Sequence, residues 1–105
     1  MPKFLIVGSY SAEGAKGLVR EGGSHHRQAI SELVKRAGGT MESFYFAFGD
    51  GDVYVVCDMP DVAAGLGLSL AVNASGAVSL KTIPLITPEE MDAAAKTHVE
   101  YRAPG

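Results

Sequence analysis

The chain has 105 residues, 47% hydrophobic and 20% charged, with a formal net charge of −3. That length holds one domain with a core of its own, and the apolar fraction excludes intrinsic disorder. The acidic balance lacks the basic footprint of a nucleic-acid binder, and the lone cysteine, Cys57, excludes an intramolecular disulfide.

Met1-Pro2-Lys3 leads straight into Phe4-Leu5-Ile6-Val7, too short an apolar run for an export signal. A reducing cytoplasm is the expected location. Lys3–Ser9 reads as a first strand, apolar enough to be buried on both faces. Tyr10–Arg20 reads as a glycine-rich connection with room for one helical turn. Ser24, following Gly22-Gly23, is the expected N-cap of a helix running to about Ala37. Its apolar stripe is Ala29, Ile30, Leu33, Val34 and Ala37, and Gly38-Gly39 ends it.

Thr40–Phe48 alternates, placing Glu42, Phe44, Phe46 and Phe48 on one strand face and Met41, Ser43, Tyr45 and Ala47 on the other. Gly49-Asp50-Gly51 turns the chain into a second hairpin strand, Asp52–Met59. Pro60-Asp61 opens a helix to about Ala74, followed by a fourth strand, Ala77–Ile86. Pro84 has no N–H to give a ladder, so this strand belongs at a sheet edge. Thr87-Pro88-Glu89-Glu90 is a capping-box start for a short helix to about Glu100, with 101–105 as a loose tail.

The order β-α-β-β-α-β plus a terminal helix predicts an α+β ferredoxin-like sandwich, with a four-stranded antiparallel sheet in the order 4-1-3-2. The whole chain, 1–105, reads as one domain with its core at about 3–100. No charge occurs from Val62 to Leu80. Glycines, serines and Asn73 interrupt that stretch too often for a membrane span. It reads as the second helix, its turn and the start of the edge strand. Val62, Ala63, Leu66 and Leu70 make the expected inward stripe of that helix, yet Ala64, Leu68, Ala71 and Val72 make the other side apolar too. Helices cover one sheet face. The other is left with large apolar side chains from sets such as Leu5/Val7 or Phe44/Phe46/Phe48, a patch that calls for a partner. A homodimer or higher oligomer is expected, joined sheet to sheet.

Taken together, these residues resemble the GYD domain, a family of small α/β proteins of bacteria and archaea. The likeness rests on Tyr10-Ser11-Ala12-Glu13-Gly14-Ala15-Lys16-Gly17 after the first strand, Gly38-Gly39 closing the first helix, and Phe44-Tyr45-Phe46. Gly49-Asp50-Gly51-Asp52, Asp58-Met59-Pro60-Asp61 and Thr87-Pro88-Glu89-Glu90 complete it over nearly the whole chain. The resemblance implies a ferredoxin-like domain that associates as the dimeric α/β barrels do, and no particular reaction. The family's name-giving tyrosine is Gly51 here, which either removes a pocket wall or tightens the turn.

Candidate chemistry is sparse. His25 and His26 sit at a helix start beside Arg27, where free amides and the helix dipole favour an anionic ligand. The competing reading packs one histidine and leaves the other in solvent. His25, His26 and Asp52 are the candidate proton carriers. Asp52 equally suits an Asx-type turn bond. Tyr10, Arg27, Tyr45 and Tyr54 are the candidate ligand contacts, the tyrosines lining a cavity between the sheet and a partner. Two adjacent histidines with a distant His98 match no metal spacing, so neither metal nor cofactor is expected. Cys57 reads as a small core hydrophobe. Three functions follow: a homo-oligomeric small-molecule-binding or regulatory domain with a pocket at the sheet face or subunit contact, a cofactor-free enzyme using histidine or aspartate, or a structural assembly module.

Overall fold

The computed structural model describes residues 1–105. The elements in order are β1 (Lys3–Tyr10), α1 (Ala12–Glu21), α2 (Gly23–Arg36), β2 (Thr40–Phe46), β3 (Val53–Asp58), α3 (Val62–Ser75), β4 (Val78–Leu85) and α4 (Pro88–Lys96). The strands form one sheet in the order β2-β3-β1-β4, which is 4-1-3-2 read from the other edge, and every pair is antiparallel. This is the ferredoxin-like α+β arrangement. Pro84 lies on the edge strand β4, opposite Phe4.

The most apolar strands, β1 and β3, are central, and their alternation decides which face is covered. Phe4 pairs with Cys57 and Ile6 with Val55, all buried beneath the helices. Val34 of α2 and Leu68 of α3 close the core over them. Burial of this cluster is the main force holding the fold. Leu5 pairs with Val56 and Val7 with Tyr54 on the opposite face, where they stay half-exposed. Tyr45 and Ile83, on the flanking strands, are 70% and 42% exposed there. The uncovered face is thus the Leu5/Val7 set. Lys3 bridges Glu42 and Asp58 at its corner.

Several local expectations change. Tyr10–Arg20 is no loop: α1 spans ten residues, with the Ser11 hydroxyl accepting from Gly14 N at 3.1 Å. Ser24 does not cap α2. Gly22 ends α1 and begins α2 with no side-chain cap, and Ser24 lies inside the first turn. In β2, Met41 pairs with Cys57 and Ser43 with Val56, so Glu42 is the extra residue of a β-bulge. The bulge puts Met41 with Phe44 against the core and turns Glu42 to Lys3, undoing the simple alternation. The strand stops at Phe46, leaving Phe48 fully exposed beyond it.

The helix α3 faces the other way from the stripe read in its sequence. Gly65, Leu68 and Ser69 are buried, whereas Val62, Leu66 and Leu70 are 55%, 49% and 71% exposed. Two contacts set this rotation. A Cβ on Gly65 would sit 2.7 Å from the Phe4 ring, so only glycine lets the helix settle there. The Ser69 hydroxyl meets both the Gly65 carbonyl and the Thr82 hydroxyl of β4. Charge-free composition hid this, because every side of α3 is apolar or small.

Thr87 and Glu90 form the capping box of α4, which ends at Lys96 rather than near Glu100. No residue from Ile86 to Gly105 is buried. A compact chain of this length has a radius of gyration of about 13 Å. Here it is 16.6 Å, with extents of 54 × 34 × 22 Å, as a projecting C-terminal arm requires.

Candidate functional site

The end of β1 carries the most heavily used candidate residue. Tyr10 falls on the helix-covered face, in step with Phe4, Ile6 and Gly8. Its backbone N–H donates to Asp52 Oδ2 at 2.9 Å. Asp52 in turn donates its own N–H to the Gly8 carbonyl at 2.8 Å, and its carbonyl accepts from Ala47 N at 2.9 Å. Asp52 therefore ties the hairpin to β1 over a long sequence distance, where a local Asx turn was the expected alternative.

The Tyr10 ring stands edge-on to His26, with centroids 5.3 Å apart. His26 also contacts the rings of Phe44 at 6.1 Å and Phe46 at 6.4 Å. Burial lowers the His26 pKa below its usual 6.5; Glu21 opposes this shift and His25 adds to it. Burial also pushes the Tyr10 phenol up to about 12, with the Asp52 carboxylate adding in the same direction. The Tyr10 hydroxyl is buried and has no hydrogen-bond partner. An orphaned buried polar atom is costly and uncommon.

A more polar depression of about 390 Å³ lies beside Tyr10, bordered by Ser9, Ser11, Asn73 and Ser79, and two apolar spaces also adjoin the cluster. One is a narrow cavity of about 30 Å³ between α2, α3 and the sheet, lined almost wholly by core side chains and reaching His26. It has room for little more than a water. The other is an open cleft of about 300 Å³ between α1 and the hairpin. Its walls include Ala15, Leu18, Phe46 and Phe48, with Tyr10 and Asp52 the groups that carry polar atoms on their side chains. Its size reaches the lower range of small-molecule sites.

The structure brings Tyr10, His26 and Asp52 together and separates the other candidates. Tyr45 and Tyr54 are direct cross-strand partners on the uncovered face, so the three tyrosines do not line one cavity. His25 is exposed and its Nε2 lies 2.9 Å from the Glu21 carboxylate. Arg27 is exposed, beside a shallow depression formed with Gly23, Ser24, Phe44 and Phe46. Cys57 is fully buried, and burial and then Asp58 raise its thiol pKa, against a smaller pull from Lys3. The histidines do not gather with other ligating side chains into a metal-holding group. No helix is long and apolar enough to cross a membrane.

Sequence reasoning did not find Ala15, Leu18, Phe46 or Phe48 as cleft walls. The available signal was Ser11 three residues before Gly14, an N-cap spacing that would have begun α1 early enough to include Ala15 and Leu18; nothing comparable marks Phe46 and Phe48.

Gly51 is buried on the uncovered side, where a Cβ would overlap Val7 Cγ1 and stand 3.3 Å from the Tyr54 hydroxyl. Its φ is not positive. Glycine is required for close approach to β1 and not for the turn itself.

Fold and cleft together define a ferredoxin-like α+β domain with an apolar pocket at one end of the sheet, under α1. The GYD domain family model matches residues 4–95, and the chain belongs to that family. A comparison with curated proteins found no significant match.

Proposed function

We propose that this GYD-domain protein is a homo-oligomeric domain that binds a small molecule, in a binding or regulatory role, with the ligand seated in the cleft between α1 and the β2–β3 hairpin. The observation that carries the reading is an apolar cleft of about 300 Å³ with the Asp52 carboxylate among its lining groups. A few placed polar atoms in an apolar concavity are what orient a small ligand. The uncovered sheet face supports the oligomer. Leu5, Val7, Val56, Tyr45 and Ile83 make an apolar surface of the kind that subunit contacts bury. The pocket is thereby assigned to the covered side of the sheet and the subunit contact to the uncovered side.

Native mass spectrometry of the protein isolated from the cells that make it tests this directly. The expected result is a homo-oligomer carrying a small-molecule adduct that is lost in Ala15→Trp. Ala15 is exposed on α1, so the indole fills the cleft without entering the core. A bare monomer overturns the reading. So does an adduct that Ala15→Trp retains.

A further inference from the structure

The charge of the cleft restricts what can occupy it. Asp52 is its one charged side chain, and no lysine, arginine or histidine lines it. Only Oδ2 of that carboxylate is engaged, by the Tyr10 amide; Oδ1 has no hydrogen-bond partner. Lys16 and Arg20 of α1 do not line the cleft, and each pairs with a carboxylate on the same helix, Glu13 at 3.4 Å and Glu21 at 3.6 Å. An anion entering the cleft would meet a carboxylate in an apolar surround with nothing to neutralise it. A neutral ligand could donate to Oδ1 but would bring no charge to balance the carboxylate.

The aromatic walls point the same way. Phe46 is 40% exposed and Phe48 wholly exposed, and both border the cleft. Exposed phenyl rings beside a carboxylate favour a cation, through the negative faces of the rings and a charge-assisted hydrogen bond. Ala15 and Leu18 supply an apolar wall on the α1 side. We propose that the cleft takes an organic ammonium ion with an apolar body, its N–H groups donating to Asp52 Oδ1 and its charge lying against Phe46 and Phe48. This rests on the cleft being the binding site, and deepens that reading by naming the class of ligand.

Three probes of nearly equal shape separate the classes: 2-phenylethylamine, 2-phenylethanol and phenylacetate. Binding is read by amide chemical-shift changes in ¹⁵N-labelled full-length protein at neutral pH. The amine is expected to shift the Tyr10, Leu18 and Asp52 amides and to bind about tenfold or more tightly than the alcohol, with no saturation by the acid. Asp52→Asn keeps an oxygen that can accept from Tyr10 N while removing the charge, and is expected to abolish the preference for the amine. Phe48→Ala, at an exposed position, is expected to weaken the amine severalfold with the fold intact. Equal or tighter binding of the alcohol or the acid overturns the ammonium assignment and leaves the cleft reading standing. Amine binding that Asp52→Asn and Phe48→Ala leave unchanged also overturns it. Failure of all three probes overturns the assignment too, and the adduct experiment above then decides separately whether the cleft binds anything.

Discussion

The backbone N–H of Tyr10 donates to Oδ2 of Asp52 at 2.9 Å, joining the last residue of β1 to the residue that precedes β3. The contact joins two residues of the cleft lining and holds the hairpin against the central strand. A charge-assisted bond of this type contributes about 1.5–3 kcal/mol. Asp52→Ala should therefore lower stability by about 1–3 kcal/mol, because it leaves the Tyr10 amide without its acceptor. Asp52→Asn should cost clearly less, since an amide oxygen can still accept. Urea unfolding of both variants gives the comparison, and equal losses would mean that the acceptor is not what Asp52 supplies.

Gly51 gives a second test. A side chain there must displace Val7 on the neighbouring strand. Gly51→Ala should destabilise by about 1–3 kcal/mol, the usual range for overpacking. The paired variant Gly51→Ala/Val7→Ala should recover much of that loss. Chemical denaturation of Gly51→Ala, Val7→Ala and the paired variant reads it, and additive losses would show that the two positions do not compete for one space.

The fold was legible at the level of elements because its main signals are local. Glycine pairs bound α2, the hairpin turn is rich in glycine and aspartate, and Thr87 and Glu90 spell out their capping box. Tertiary contacts overrode local pattern elsewhere. Gly14 looked like a loop residue, yet its missing side chain lets α1 lie against the Ala77 carbonyl. The apolar residues of α3 surround the helix, so no moment in the sequence could orient it; the Phe4 ring and the Thr82 hydroxyl do so. The bulge at Glu42 is equally a product of pairing with β3. Tyr10 and Asp52 were visible as candidates, but their meeting across the sheet was not, because it depends on β1–β3 register.

Stability should fall on both sides of neutrality. His26 has a depressed pKa in the fold, so the unfolded chain binds the extra proton first, and stability is lost as pH falls through 6.5. Glu21 and His25 are the charged neighbours that modulate this loss. Tyr10 keeps its proton to about 12 in the fold, against 10.0 for a free phenol, so stability is lost again as pH rises through 10.0. Urea midpoints across pH should flatten at the acid end in His26→Phe and at the alkaline end in Tyr10→Phe. A profile that neither substitution changes would contradict these assignments.

The C-terminal arm buries nothing of its own. Deletion of residues 87–105 should leave the urea midpoint of the domain nearly unchanged, within about 0.5 kcal/mol, as for surface changes in general. A loss of several times that size would place the arm in a contact that stabilises the assembled protein.

The most direct test of the account maps a bound small molecule onto one of the two sheet faces. Small-molecule extract from the cells that make the protein is added to ¹⁵N-labelled chain, and amide shifts are followed. The account predicts shifts at Tyr10, Leu18 and Asp52 with Tyr45 and Tyr54 unmoved. Shifts centred on Tyr45 and Tyr54, or none at all, would contradict it.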